Sequence, residues 1–176
     1  MKITIEKDIR KKYHSGFERV DSDIYQIALH GTGGGNSALG CIRWMRKYGR
    51  PDLYRKGIAL FHYLIDRKNG TYEIINPHNW VYHSSSGRHD QHTIGIELVN
   101  PGRDNGNKYT KYQYKQCVRL IDFLMTIFPI NSIASHDKIK QIYSGGSKSC
   151  PGEGFDWNYF QSVLNEFGLE NLKVDY

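Results

Sequence analysis

The chain has 176 residues, of which 39% are hydrophobic and 24% charged, a composition that predicts one ordinary domain spanning residues 1–176. No stretch approaches the roughly 18 consecutive apolar residues that a membrane span requires, and the first residues, which alternate charged and aliphatic side chains, show no export signal. The net charge of +6 is spread in ones and twos, which favours a mildly cationic surface over a nucleic-acid-binding arm, and three cysteines do not make a disulfide framework.

The first predicted elements are a buried strand and an amphipathic helix. The apolar run 24–30 predicts the strand, and the glycine-rich segment 31–35 that follows predicts a permissive loop. Asn36 is expected to cap the helix. Its apolar face is carried by Ala38, Cys41, Ile42, Met45 and Tyr48.

A hairpin and a further strand come next. Residues 58–66 and 71–75 are two strand-like runs, and Asn69-Gly70 between them is a strong signal for a tight turn. The run 93–99, Thr-Ile-Gly-Ile-Glu-Leu-Val, predicts another strand with one carboxylate in an apolar setting.

The last third of the chain predicts two helices with a short strand between them. Thr110 is expected to cap a long helix that ends before Pro129. The apolar positions of this helix, three and four residues apart, are Tyr114, Cys117, Ile121, Leu124 and Phe128. Residues 130–135 are expected to be extended, and 155–167 to form a final amphipathic helix. Strands that alternate with helices predict an α/β domain, with a mixed central sheet flanked by helices.

Most of the eight histidines need no function. His14, His78 and His89 lie in polar contexts, and we expect them on the solvated surface. His30 is different, because it closes a buried strand directly before a glycine loop, where α/β sheets present functional groups.

His136 follows a similar short strand, and Cys150 follows the loop 144–149. Two histidines and one cysteine at such junctions make a plausible zinc set, because catalytic zinc keeps three protein ligands and one open position. The spacing is not that of a local zinc motif, so the pattern alone leaves a purely structural role open for each residue.

Six sequence blocks then carry a family resemblance. In chain order they are Ala28-Leu-His-Gly-Thr32, Phe61-His-Tyr-Leu-Ile-Asp66, Trp80-Val-Tyr-His83, Thr93-Ile-Gly-Ile-Glu97, Ser135-His-Asp137 and Lys148-Ser-Cys-Pro-Gly-Glu-Gly-Phe-Asp-Trp157. Together they resemble zinc-dependent N-acetylmuramoyl-L-alanine amidases, the family of phage amidase-type lysozymes, which is similar to the animal peptidoglycan recognition proteins. The resemblance runs from about residue 24 to 164.

The resemblance implies one zinc ion per chain in an open groove. It assigns His30, His136 and Cys150 as the metal ligands. It also assigns Glu97 as the general base that activates water, and Lys148 as the cation that stabilises the oxyanion. Strand alternation independently predicts that Glu97 lies on the face of Gly95 and Val99, opposite Ile94.

One position departs from the family pattern. Phage and animal members carry a catalytic tyrosine where this chain has Phe61, so a mechanism that needs that hydroxyl is excluded. Tyr63 is expected on the same strand face as Phe61. Family members that keep the glutamate often lack the tyrosine, which is consistent with Glu97.

The remaining histidines and cysteines receive weaker assignments. His83 matches a family position on the groove wall, so a hydrogen bond to substrate is predicted, whereas His62 is expected to support the site from the sheet. Cys117 is expected in the core. Cys41, near the start of a helix after a glycine-rich loop, offers a competing Cys-His peptidase mechanism, because a helix dipole lowers a thiol pKa.

The resemblance therefore implies a peptidoglycan hydrolase that cleaves the amide between N-acetylmuramic acid and L-alanine. Its partner would be the bacterial wall or a released muropeptide, with no nucleic acid or membrane partner and a monomer favoured. Without a visible signal peptide, we expect synthesis in the cytoplasm and action on the wall as a phage lysin or a non-classically exported protein. A peptidoglycan-binding or regulatory module without turnover is the other class that the residues allow.

Overall fold

The computed structural model describes residues 2–5, 17–48, 61–84, 86–102, 108–147 and 149–176. The strands are β1 (Ile3–Ile5), β2 (Phe17–Glu18), β3 (Gln26–Gly31), β4 (Tyr63–Ile65), β5 (Thr71–Glu73), β6 (Asn79–Trp80), β7 (Thr93–Leu98), β8 (Ser132–Ser135) and β9 (Lys173–Asp175). The α-helices are α1 (Ala38–Tyr48), α2 (Gly87–Asp90), α3 (Lys111–Met125), α4 (His136–Ser144) and α5 (Trp157–Glu166). In this part of the chain, no helix is long and apolar enough to cross a membrane.

Seven strands form one mixed sheet in the order β1-β5-β4-β7-β3-β8-β9. The pairs are parallel, apart from the antiparallel hairpin of β4 and β5. Strands β2 and β6 form a separate antiparallel pair. The predicted α/β class with a mixed sheet is thus confirmed, and β3 lies between two parallel neighbours near the middle of the sheet.

The two faces of the sheet carry different layers. On one face, α3 and α5 pack on the aliphatic side chains of β3, β4, β7 and β8. On the other face, α1 packs over Leu64 and Val99, while α4 packs through Ile139 on the small residues Ala28 and Ala134. The second face is therefore covered by two separate helices, and the candidate site described below lies on it.

The capping predictions have mixed outcomes. Thr110 and Gln113 form a reciprocal capping box at α3, as expected from the Thr residue. At α1 the prediction of Asn36 is wrong, because the Ser37 hydroxyl accepts the hydrogen bond from Gly40 N–H. The buried Asp66 carboxylate is a second acceptor, and it accepts a hydrogen bond from the Ala38 N–H at 2.5 Å. The same carboxylate accepts hydrogen bonds from the backbone N–H groups of residues 68 and 69, both at 3.0 Å. Asp66 thereby ties the start of α1 to the hairpin turn.

Most predicted elements occur with shorter bounds. The hairpin pairs Tyr63 with Glu73 and Ile65 with Thr71, although the predicted residues 58–60 lie outside the described ones. The final helix begins at Trp157, where the Asp156 carboxylate accepts the Tyr159 N–H. The sequence did not predict the strands β1, β2, β6 and β9 or the helices α2 and α4.

Candidate metal centre

Three buried side chains converge where β3 and β8 end. His30 is the last residue but one of β3, His136 begins α4 directly after β8, and Cys150 lies in the loop before α5. The ligand atoms of all three lie within 4.8 Å of one another. Strands β3 and β8 are parallel neighbours, with Leu29 paired with Ser135. His30 follows Leu29 and His136 follows Ser135, so both histidines lie at the same edge of the sheet.

The donor set fits a zinc ion. The Nδ1 atoms of His30 and His136 are 3.0 Å apart, and two nitrogens bound to one tetrahedral zinc at about 2.0–2.1 Å would lie roughly 3.3–3.4 Å apart. Imidazole nitrogen and thiolate sulfur are both ligands that zinc prefers. Three protein donors also leave the fourth position that a catalytic ion needs.

The absence of a side chain at Gly31 allows Cys150 to lie close to His30 and His136. The Gly31 N–H donates to Cys150 Sγ at 3.4 Å, and the Asp137 N–H donates to the Cys150 carbonyl at 3.1 Å. A Cβ at Gly31 would overlap Tyr109 Oη and lie 2.8 Å from the Pro151 carbonyl oxygen. Only a glycine therefore lets the 150–151 segment pack against the end of β3.

Glu97 lies beside this cluster on the neighbouring strand. It is the register partner of His30 between β7 and β3, so the two side chains leave the same face of adjacent strands, about 4.8 Å apart at the backbone. Its predicted orientation is confirmed, because Ile94 packs in the opposite core with α3, while Val99 packs with α1. Glu97 is half-buried, unlike the fully buried residues on either side of it in β7.

Lys148 lies outside the described residues, so its predicted oxyanion role stays a prediction.

His83 does not lie on an exposed groove wall. Its side chain is fully buried, and its Nδ1 lies 3.1 Å from Nε2 of His30. Its Nε2 lies 2.9 Å from Thr93 Oγ1 and 3.5 Å from Asp90 Oδ1. Burial, together with the positive charge of Arg19, lowers the pKa of His83 to about 3, so the ring is neutral at ordinary pH. The position gives no support to the predicted contact with substrate.

His62 is also fully buried, but it faces the sheet backbone. The Gly95 N–H donates to His62 Nδ1 at 2.9 Å, and His62 Nε2 in turn lies 2.9 Å from the Asn79 carbonyl oxygen. Burial and the nearby Arg19 lower the pKa of His62 well below its usual value. Both ring nitrogens are thus used by backbone groups of the sheet and of β6.

The competing nucleophile at Cys41 finds no support. Burial, together with the negative charges of Glu97 and Asp66, raises the pKa of the Cys41 thiol to about 11. The thiol donates a long hydrogen bond to the Gly34 carbonyl at 3.8 Å. A helix dipole alone does not offset these effects, so the protonated thiol is the dominant form near neutral pH. Cys117 is fully buried in the core, as predicted.

Two further predictions about side-chain placement are wrong. Tyr63 packs in the core under α3, whereas Phe61 packs with α1 on the other face, because Phe61 precedes the first residue of β4 and does not follow its alternation. His89, expected on the surface, is buried and lies with Nε2 2.8 Å from Gln26 Oε1. His78 is exposed beside Asp21, as expected.

Sequence reasoning missed the residues around His83. Thr93 and Asp90 contact its Nε2, and Gly95 leaves the space for its ring, because a Cβ there would lie 3.0 Å from His83 Cγ. The one available signal was the unusual glycine inside the buried strand 93–98, which indicates close approach of another group.

Comparisons with known proteins identify the family and the fold of the chain. A family model described as N-acetylmuramoyl-L-alanine amidase matches residues 20–153, whereas no curated protein matches the chain significantly. Among solved structures, the chain is similar to the N-acetylmuramoyl-L-alanine amidase LysC from Clostridium intestinale URNW, with a TM-score of 0.67 and 19% identity over 94% of this chain and 98% of that one.

Two other solved structures share the fold. The Ph2119 endolysin from the Thermus scotoductus MAT2119 bacteriophage Ph2119 has a TM-score of 0.65 and 20% identity, over 92% of this chain and 98% of that one. The ectodomain complex of peptidoglycan recognition proteins LCa and LCx with tracheal cytotoxin has a TM-score of 0.66 and 15% identity, over 93% of this chain and 95% of that one.

Proposed function

Because the chain belongs to the N-acetylmuramoyl-L-alanine amidase family, we propose that it is a zinc-dependent hydrolase of peptidoglycan. The bond cleaved would be the amide between the lactyl group of N-acetylmuramic acid and the L-alanine of the stem peptide. The catalytic unit would be one domain, and its partner the bacterial cell wall or a muropeptide released from it.

The observation that carries this proposal is the buried cluster of His30, His136 and Cys150. These three residues would hold the ion, and family membership alone would not supply a complete donor set. Bound zinc would polarise the scissile carbonyl and lower the pKa of a water molecule at its open position.

Glu97 would act as the general base. It would accept a proton from the attacking water and pass it to the leaving amine of L-alanine as the carbon–nitrogen bond breaks. Its support is its place on β7, where Glu97 is the register partner of His30 and is only partly buried. Phe61 has no hydroxyl, and Tyr63 lies on the other face of the sheet, so neither offers an alternative base.

Lys148 would stabilise the negative charge that develops on the carbonyl oxygen. This assignment rests on the family resemblance of the segment around Cys150, and on no contact of the described residues.

A recognition role without turnover is the second candidate. The likeness to a peptidoglycan recognition protein complex with tracheal cytotoxin favours it, because the same fold there holds a ligand. The two candidates differ in product: binding alone leaves the stem peptides attached.

Digestion of purified peptidoglycan tests the proposal. The zinc-loaded protein should release stem peptides with new L-alanine amino termini and no new reducing sugar ends, and a strong chelator should stop the release. Binding to the sugar–peptide polymer with no new amino termini would favour recognition, whereas new reducing ends would indicate a glycosidase.

A further inference from the structure

His83 contacts the ring of His30 and is placed to determine which His30 nitrogen carries the proton. His83 Nδ1 lies 3.1 Å from His30 Nε2, and the two rings are nearly perpendicular, at 84°. His83 is wholly enclosed, with a side-chain exposure of 0%. It therefore contacts His30 from inside the protein, on the side away from His136.

The outer nitrogen of His83 faces two oxygen acceptors. Its Nε2 lies 2.9 Å from Thr93 Oγ1 and 3.5 Å from Asp90 Oδ1. The Thr93 hydroxyl has a second partner, the His89 carbonyl oxygen at 3.4 Å, to which it can donate its own proton. Asp90 Oδ1 is itself held by the Ser84 N–H at 2.9 Å. Oxygens arranged in this way favour a proton on His83 Nε2.

A neutral imidazole with a proton on Nε2 presents Nδ1 as an acceptor. His30 must then donate from its Nε2, which leaves the lone pair on its Nδ1. That atom is the one that lies 3.0 Å from His136 Nδ1. We propose that His83 is a positioning residue, which holds His30 in the Nε2–H tautomer and so directs His30 Nδ1 to the metal.

The proposal rests on the proposed function only through the presence of a metal at His30. Metal-binding histidines commonly donate their second ring N–H to such an acceptor, and its loss typically lowers metal affinity about 10- to 100-fold. Here the acceptor is the imidazole of His83, whose Nε2 contacts Thr93 and Asp90. His62, expected in this role from the sequence, instead pairs with Gly95 and Asn79.

Nitrogen-15 NMR of the unaltered chain tests the tautomer directly. With zinc bound, His30 should carry its proton on Nε2, and His83 should do the same. A proton on His30 Nδ1, or on His83 Nδ1, would overturn the proposal. This experiment needs no variant and so does not depend on whether a substitution is tolerated.

Two substitutions at one position separate the hydrogen bond from packing. His83→Leu removes the acceptor, and zinc affinity, measured by competition with a chelator, should fall about 10- to 100-fold. His83→Asn can place an amide oxygen near the position of Nδ1, and its affinity should stay within about threefold of the unaltered protein. An unchanged affinity in His83→Leu, or an equal loss in both variants, would contradict the role proposed.

His89→Leu is the matched control. His89 is also buried and lies near His83 in sequence, but its Nε2 faces Gln26, so its loss should leave zinc affinity unchanged. If His83 instead contacts substrate, His83→Leu should raise KM while zinc affinity stays constant. A chain that binds zinc and shows this affinity pattern, but releases no L-alanine termini, would refute the proposed function and keep the positioning role.

Discussion

Replacing Gly31 with alanine would place a methyl group in space that the segment around Cys150 now fills. The new Cβ would overlap Tyr109 Oη and lie 2.8 Å from the Pro151 carbonyl oxygen. Tyr109 Oη would have to leave its position, which breaks its 2.7 Å hydrogen bond to that carbonyl. The strain falls on the loop that carries one of the three candidate ligands.

The loss in the free energy of unfolding has two contributions, the inserted methyl group and the broken hydrogen bond. Inserting one methyl into a packed region costs about 1–3 kcal/mol, and the lost hydrogen bond costs about 0.5–1.5 kcal/mol. Gly31→Ala should therefore lower the free energy of unfolding by about 2–4 kcal/mol. For a chain of this size the melting temperature should fall by roughly 5–15 °C. Zinc affinity should fall at least about tenfold, because Cys150 moves with the loop.

Thermal and urea denaturation of the zinc-free protein measure the first effect, and chelator competition measures the second. Gly34→Ala is a matched control in the same loop, since a Cβ there meets nothing within 4 Å. It should be neutral, or stabilising by up to about 1 kcal/mol.

A double-mutant cycle tests the cause. Tyr109→Phe removes the atom that the new Cβ overlaps and leaves Tyr109 Cζ, at 3.3 Å, among the nearest atoms. Gly31→Ala with Tyr109→Phe should thus be less destabilised than the sum of the single variants, by about 1 kcal/mol or more. Strict additivity, or a Gly31→Ala cost below about 0.5 kcal/mol, would refute this account of the close approach.

Four further variants probe the site and the fold. Glu97→Gln should keep zinc and stability but lower the rate of amide hydrolysis about 10²- to 10⁴-fold; a near-normal rate would remove Glu97 as the base. Cys150→Ala should abolish stoichiometric zinc binding, measured by metal analysis, whereas Cys41→Ala should leave it intact; the reverse result would revive the Cys-His mechanism. Burial lowers the pKa of His89 to about 4, so the folded state resists protonation, and stability should fall as pH drops from about 6.5 towards 4. His89→Leu should reduce that loss by on the order of 1 kcal/mol between pH 7 and pH 5 in urea titrations, and an unchanged pH profile would count against burial as the cause.

The features that the sequence predicted well are local. The apolar run ending at His30, the Asn69-Gly70 turn and the Thr110 cap each depend on neighbouring residues, and all three occur in the structure. The orientation of Glu97 also follows from strand alternation alone. Such signals need no knowledge of what packs against them.

The features that the sequence missed depend on contacts between distant segments. Asp66 caps α1 from 28 residues away, and His83 reaches His30 across 53 residues, so no local pattern indicates either contact. His89 sits in a polar stretch, yet Gln26 and the ring of Tyr143 enclose it. The grouping of His30, His136 and Cys150 was predicted through the family resemblance, because their spacing matches no local motif.

The pairing of β3 with β8 has a consequence for how the metal centre forms. His30 and His136 are separated by 106 residues of chain, and they meet only because Leu29 is aligned with Ser135. A slip of one residue would displace one imidazole by about 3.3 Å and turn it to the opposite side of the sheet. A partly folded chain with the wrong alignment would offer only scattered donors. Uptake of the ion would then report that the middle of the sheet has reached its final alignment, so a time course of zinc capture during refolding would follow a late long-range event that helix formation alone does not reveal.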